Sequence, residues 1–194
     1  MRRTLLGTLA AAGLGLLAGP ALAQNAPRVK FVTSQGDFVV EVYADKAPKT
    51  VENFLQYVKD KHYDGTIFHR VINNFMVQGG GFDSAWAEKK TRASVAHEGR
   101  EALAKGGAKN VVGTLAMART NDPNSATAQF FINVKDNDFL NPSTQSPGYT
   151  VFGKVVSGMD VVTKIEHVPT GAGGPFGSDV PRTPVVIKSA TLVN

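Results

Sequence analysis

The chain has 194 residues, of which 42% are hydrophobic, with a formal net charge of +5 and no cysteine. This length is enough to bury a core within one domain, and the absence of cysteine excludes disulfides and thiol chemistry. The charge is mild, and no run of Lys or Arg is long enough to predict binding to nucleic acid.

The first 23 residues have the layout of a secretory signal peptide. Two arginines form a basic head, small and apolar residues follow, and Ala21-Leu22-Ala23 supplies a small-x-small cleavage pattern. A membrane anchor needs about 20 apolar residues, and this glycine-rich stretch is shorter. We therefore expect residues 1–23 to be removed on export and residues 24–194 to form a single domain without a membrane attachment. The paired arginines leave twin-arginine export open as an alternative to ordinary secretion.

The first elements of the exported chain are predicted to be a hairpin and a helix. Apolar-rich runs at 28–33 and 38–43 flank a turn with glycine, which is typical of a β-hairpin. The next segment, 50–58, has apolar residues at helical spacing, and Thr50 is a plausible N-cap. The residues on its inner face are Val51, Phe54, Leu55 and Val58.

The rest of the chain is predicted to be mainly strands. The candidate strands are 66–72, 75–78, 111–118, 128–134, 150–156 and 184–193. A second helix is predicted at 158–167, with Val161, Val162 and Ile165 facing inward. The polar segment 83–109 is predicted to be a loop. About eight strands and two helices predict a mainly β fold, a closed eight-stranded antiparallel barrel capped by two α-helices.

The strand at 128–134 carries an unusual outer face. Because side chains alternate along a strand, Phe130 and Ile132 belong in the core, whereas Gln129, Phe131 and Asn133 point outward. A lone surface aromatic needs no explanation. An aromatic ring between two carboxamides, with further apolar residues beside polar turns elsewhere, instead indicates a place where something docks.

Four motifs, in this order along the chain, resemble those of cyclophilin-type peptidyl-prolyl isomerases. They are FHRVINNFMVQGG (68–80), GTLAMA (113–118), SATAQFFI (125–132) and FGKV (152–155). The resemblance extends from about residue 30 to residue 193 and is closest to the periplasmic bacterial branch. It implies an eight-stranded barrel with two capping helices, a site on the outer face of the barrel, and a periplasmic location.

The resemblance also implies roles for individual residues. Rotation about an X-Pro bond makes and breaks no covalent bond, so no nucleophile, metal or cofactor is required. Arg70 matches the residue that donates to the prolyl nitrogen, and Gln78 matches the one that binds the substrate backbone and orients the arginine. The remaining substrate-binding positions are Phe75, Met76, Phe131 and Leu140 around the proline ring, Ala118 and Gln129 along the groove, and Arg119 through its backbone.

Three positions depart from the family pattern. Phe139 stands where many eukaryotic members carry a tryptophan that hydrogen-bonds cyclosporin, so we expect weak cyclosporin binding with activity retained. Tyr149 replaces a histidine at the edge of the pocket and can still donate through its hydroxyl. Gly81 replaces a frequent aspartate, which we expect to alter a turn but not the chemistry.

The four histidines show no metal-ligand spacing, and His69, next to Arg70 on a strand, is expected to face away from it. The expected partners are proline-containing unfolded or flexible polypeptides, bound by a monomer. One alternative is a module that binds proline segments, with incidental catalysis, although binding alone does not require Arg70. A lipocalin-like ligand carrier is another, but the large inward residues Phe130 and Ile132 argue that the lumen is filled.

Overall fold

The structure is a computed structural model that describes residues 26–193, so the predicted signal peptide lies outside it. The strands are β1 (Arg28–Thr33), β2 (Gly36–Val42), β3 (Thr66–Ile72), β4 (Met76–Asp83), β5 (Thr114–Met117), β6 (Phe130–Asn133), β7 (Val151–Ser157), β8 (Thr170–Gly173), β9 (Phe176–Pro181) and β10 (Ile187–Val193). The helices are α1 (Pro48–Lys59), α2 (Gly99–Ala104) and α3 (Met159–Glu166). Short 3-10 turns occupy Pro123–Ser125 and Asp138–Leu140.

Eight strands form one antiparallel sheet in the order β10-β1-β2-β7-β5-β6-β4-β3. The mainly β, eight-stranded prediction is confirmed, but the barrel is open, so the prediction of a closed barrel is wrong. The end strands β3 and β10 are not joined by a ladder. Within residues 26–193, the backbone links near them are an isolated bridge between Ile67 and Val186 and two hydrogen bonds.

The inner face of the sheet is filled by large side chains. Phe31 and Phe38 stack with ring centroids 5.0 Å apart, and Phe130 packs against Phe31 at 5.4 Å. Phe130 and Ile132 are fully buried in this core, as predicted. A packed interior leaves no lumen for a ligand, which disfavours the lipocalin-like alternative.

The helices pack against this core. On α1 the predicted residues Val51, Phe54 and Val58 are buried, whereas Leu55 is only partly buried and Tyr57 takes its place inside. On α3 all three predicted apolar residues, Val161, Val162 and Ile165, are buried.

The start of α1 corrects the predicted cap. The helix begins at Pro48 after Ala47, so Thr50 lies in its first turn and is not the N-cap. The buried carboxylate of Glu98 accepts hydrogen bonds from the backbone N–H groups of Lys49 (3.2 Å) and Thr50 (2.8 Å) and from the Thr50 hydroxyl (2.8 Å). A distant carboxylate therefore satisfies the free N–H groups of this helix.

Two elements were missed by the sequence reading. The predicted loop 83–109 contains the short helix α2, which adds a third helix to the two predicted. A small hairpin, β8–β9, forms a separate two-stranded sheet near β3. Its sequence is rich in glycine and shows no clear alternation, so the pattern gave no signal for strands.

Candidate active site

Arg70 reaches the outer face of the sheet because β3 contains a β-bulge. Between Phe68 and Arg70 the strand advances two residues while its partner β4 advances one. Phe68 and Val71 both belong to the inner core, so both residues between them, His69 and Arg70, line the same outer cavity. The prediction that His69 faces away from Arg70 is therefore wrong, because strict alternation breaks at the bulge.

Arg70 is the first member of a chain of polar side chains across the sheet. Its Nη1 lies 3.5 Å from Oε1 of Gln78, and Nε2 of Gln78 donates to Oε1 of Gln129 at 3.0 Å. The first contact is long, so the guanidinium keeps donors free for another acceptor. A Cβ on Gly81 would lie 2.4 Å from Nε2 of Gln129, so glycine leaves room for this side chain. Gly81 lies within β4, so the expectation that it alters a turn is wrong, and a larger side chain at this position would displace Gln129.

An apolar cluster separate from the main core lies beside Arg70 on the outer face, and we call it the outer socket. Its buried members are Met76, Ala116, Phe131, Leu140 and Val151, and Phe75, Ala118 and Tyr149 are among the partly buried side chains that pack on it. Phe131 points outward as predicted, and the ring of Tyr149 meets it edge-on at 5.4 Å. The outer socket therefore combines aromatic rings with smaller apolar side chains.

A network of buried asparagines supports the outer socket, and sequence reasoning missed it. Nδ2 of Asn137 donates to the backbone O of Phe75 (2.9 Å) and to Oδ1 of Asn133 (2.7 Å). Nδ2 of Asn110 donates to the backbone O of Leu140 at 3.2 Å. Asn133, predicted to point outward, is completely buried and belongs to this network. In the sequence, the only indication of its role was its place two residues after Phe131. The asparagines come together only in the folded chain.

Arg119 uses its side chain to hold the edge of the site. Its Nε and Nη2 donate to the backbone O of Gly148 at 3.1 and 2.8 Å. Its guanidinium carbon lies 4.6 Å from the ring centroid of Tyr149, within the range of a cation–π interaction. These contacts fix Tyr149 and leave the Arg119 guanidinium occupied, which agrees with the expectation that its side chain matters little for direct binding.

Phe139 lies outside the cavity. Its ring is 71% exposed and stacks on Phe75 with centroids 5.7 Å apart. Every other predicted site residue lines one cavity of about 350 Å³, which is the size of a small-ligand pocket. The same cavity is also lined by His69, Phe82 and Phe176, which the sequence reading did not assign to the site.

Burial lowers the pKa of both histidines near the site. Burial lowers the pKa of His69 to about 4, and its Nδ1 has no hydrogen-bond partner within residues 26–193. Burial likewise lowers the pKa of His97, whose ring lies 3.2 Å from the backbone O of Gly148. Over the described part of the chain, no three His, Cys, Asp or Glu side chains are grouped to hold a metal ion. No helix in the same range is long and apolar enough to span a membrane.

These groups together form a groove that suits a neutral, partly apolar ligand carrying hydrogen-bond acceptors. The guanidinium offers a fixed cationic donor, the carboxamides of Gln78 and Gln129 offer both donors and acceptors, and the outer socket offers an apolar surface. No described residue in the groove has the arrangement of a base-activated nucleophile.

Comparison with known proteins agrees with this chemistry. Residues 28–192 match the family model described as cyclophilin type peptidyl-prolyl cis-trans isomerase. The chain is 54% identical to peptidyl-prolyl cis-trans isomerase B of Escherichia coli K12, over 84% of this chain and 98% of that protein. It is 51% identical to a peptidyl-prolyl cis-trans isomerase of Acinetobacter baylyi, over 91% of this chain and 90% of that protein.

A solved structure is similar as well. The Cryptosporidium parvum cyclophilin type peptidyl-prolyl cis-trans isomerase, crystallised in the presence of the dipeptide Ala-Pro, superposes with a TM-score of 0.67 at 25% identity, covering 86% of this chain and 99% of that chain. The chain therefore belongs to the family of cyclophilin-type peptidyl-prolyl cis-trans isomerases and is an enzyme of that type.

Proposed function

We propose that Arg70 is the catalytic residue and that it acts on a proline held in the outer socket. The observation that carries this proposal is that one cavity contains both a guanidinium with free donors and a closed apolar cluster. The Ala-Pro dipeptide used with the Cryptosporidium parvum relative supports a proline-containing peptide as the ligand.

The mechanism follows from the electronic structure of the amide. Resonance between the carbonyl and the prolyl nitrogen holds the bond planar, with a barrier of about 20 kcal/mol. In the twisted state the nitrogen becomes pyramidal and regains its lone pair. A donor aimed at that nitrogen binds the twisted state better than either planar state, so it lowers the barrier. Arg70 suits this role because its charge is permanent and its planar fork has a fixed orientation.

The other residues hold the substrate while the bond rotates. Burying a proline ring in the outer socket contributes roughly 1.5–3 kcal/mol, which anchors one side of the bond. Gln78, which donates a hydrogen bond to Gln129, binds the substrate backbone and limits the motion of the Arg70 guanidinium. The exposed ring of Phe139 forms an apolar rim beside Phe75, where a neighbouring substrate residue rests.

We further propose that the enzyme acts in the periplasm, as a monomer, on exported proteins that are still folding. The signal-peptide pattern of residues 1–23 supports export. The proposed mechanism needs only Arg70, Gln78 and the outer socket, which a single copy of the chain supplies, and this supports a monomer as the active unit. Exported clients that cross a membrane unfolded must then settle their X-Pro bonds, which takes tens of seconds without catalysis.

Two measurements test this function. Cis-to-trans conversion of an Ala-Pro peptide should be fast with the native chain and about tenfold slower with Phe131→Ala, which removes one wall of the outer socket. Val156→Ala, at an exposed position outside the groove, is the matched control and should keep the native rate. Equal rates for Phe131→Ala and the control would exclude the outer socket as the proline site.

Export is tested by producing the full chain in a Gram-negative host and fractionating the cells. We expect a periplasmic product that begins at Gln24. A cytoplasmic product that retains residues 1–23 would contradict the proposed location while leaving the isomerase activity untouched.

A further inference from the structure

The groove extends well past the outer socket. Met76 in the socket and Phe82 lie at opposite ends of the cavity-lining part of β4, with Gln78 between them. The three regular steps from Met76 to Gly79 cover about 10 Å, and β4 continues beyond Gly79 to Phe82 through a bulge, where four of its residues oppose two of β3. The cavity is therefore longer than a proline ring and its two flanking bonds require. Its far end is available to another part of the bound segment.

The far end of the groove is aromatic, and we call Phe82, Phe176 and His69 the aromatic wall. Phe176 stacks on His69 with centroids 5.6 Å apart and an interplanar angle of 25°. Phe176 meets Phe82 edge-on at 5.5 Å, and His69 meets Phe82 at 5.0 Å. Both phenylalanines remain partly exposed on the cavity side. The two phenylalanines therefore present an apolar face to the groove, and the buried His69 ring packs against both of them.

The β8–β9 hairpin holds Phe176 in this position with the help of Trp86. The indole lies against the hairpin turn, where a Cβ on Gly174 would be 2.2 Å from Trp86 Cδ2 and a Cβ on Gly173 would be 3.3 Å from Cζ2. Trp86 also meets the ring of Phe176 at 6.1 Å, and it does not line the cavity itself. Glycine is required at position 174 for the indole to pack, whereas a Cβ on Gly173 would first meet Cγ1 of Val180 at 2.7 Å. Through its contacts with the turn and with the Phe176 ring, Trp86 is a positioning residue for Phe176.

The surroundings of the aromatic wall favour an apolar occupant over a charged one. His69 is 2% exposed, with its ring stacked on Phe176 and in T-shaped contact with Phe82, so it offers no exposed polar group to the groove. The nearest cationic side chain lining the cavity is Arg70, whose donors serve the reacting bond in the proposed mechanism. Aromatic side chains gain edge-to-face contacts with such a wall in addition to the area that they bury.

We infer that the aromatic wall is a second substrate subsite that takes an aromatic or large aliphatic side chain of the segment whose proline occupies the outer socket. This inference rests on the proposed function, because it assumes that one polypeptide segment lies along the whole groove. The wall would then select, among proline-containing segments, those with an apolar residue a fixed number of positions from the proline.

The test uses a series of Ala-Pro peptides in which phenylalanine replaces alanine at each of three positions on either side of the Ala-Pro pair. With the native chain, phenylalanine at one position should raise kcat/KM about tenfold over the all-alanine peptide. Phe176→Ala should abolish this preference, so that the ratio of kcat/KM between the preferred phenylalanine peptide and the all-alanine peptide falls from about ten to about one. Phe176→Leu should keep part of it, and Val156→Ala should keep all of it.

Three results would overturn the inference. They are equal kcat/KM for all peptides with the native chain, a preference that survives Phe176→Ala, and equal losses on every peptide in Phe176→Ala. Trp86→Ala should weaken the preference without changing the all-alanine rate. An unchanged preference in that variant would show that Trp86 does not position Phe176. A native chain inactive on the all-alanine peptide would refute the proposed function itself, so the two failures are distinguishable.

Discussion

Replacing Asn137 should lower the stability of the fold and disturb the outer socket, because this buried side chain donates hydrogen bonds to two oxygens. Its Nδ2 donates to the backbone O of Phe75 at 2.9 Å and to Oδ1 of Asn133 at 2.7 Å. The Phe75 oxygen also accepts from the backbone N–H of Val134, so it keeps one partner. Oδ1 of Asn133 would be left unpaired, at a cost of about 1–3 kcal/mol. With the lost bond to Phe75, Asn137→Ala should lower the free energy of unfolding by about 3 kcal/mol.

Asn137→Asp sharpens this prediction, because it keeps the shape and replaces the donor with a carboxylate facing two acceptor oxygens. It should cost more than Asn137→Ala, since a buried charge is added without a partner. Urea unfolding gives the stability, and kcat/KM on an Ala-Pro peptide should fall because Phe75 is no longer held. Asn121→Asp, at an exposed position, is the control and should be near neutral. An Asn137→Asp variant as stable as the native chain would refute the network.

Three further predictions follow from the structure. Glu98→Ala should lower the free energy of unfolding by about 3 kcal/mol in urea because α1 loses its capping carboxylate, whereas the exposed Glu101→Ala should change it little. The pKa of His69 is about 4 in the folded chain, below the ordinary 6.5. As the pH falls, His69 therefore takes up a proton in the unfolded chain before it does so in the folded chain. Stability should therefore be full above pH 6.5 and fall by up to about 3 kcal/mol towards pH 4, a slope that His69→Phe should reduce in unfolding measured across that range. Cyclosporin should inhibit the native chain weakly and Phe139→Trp about three- to tenfold better, because tryptophan restores an N–H donor, and nanomolar inhibition of the native chain would contradict this.

In β6, strand periodicity was sufficient to predict which side chains face the core and which belongs to the outer socket. The alternation through Phe130, Phe131 and Ile132 predicted both the core and the outer face, and the helical spacing in α3 predicted its buried residues. Periodicity failed where the backbone departs from it. The bulge after Phe68 brings His69 beside Arg70, and no local pattern encodes an extra residue in a ladder.

The remaining errors concern interactions between segments distant in sequence. The cap of α1 comes from Glu98, 48 residues beyond Thr50, so a local N-cap rule selected the wrong residue. The gap between β3 and β10 depends on how the two ends of the sheet meet, which strand counting does not determine. Phe176 enters the groove only because a glycine turn packs under Trp86.

In the proposed mechanism, Arg70 binds the twisted state of the X-Pro bond better than the planar states. Arg70→Ala should lower the catalysed cis–trans exchange rate of a bound Ala-Pro peptide about 10²–10³-fold, while the dissociation constant for the peptide changes less than about threefold. Arg70→Lys should restore little, because a point charge does not reproduce the planar fork. The decisive measurement is exchange spectroscopy of the bound peptide together with a binding titration on the same variants. An exchange rate that falls only in proportion to affinity would contradict the mechanism and favour a module that merely binds proline.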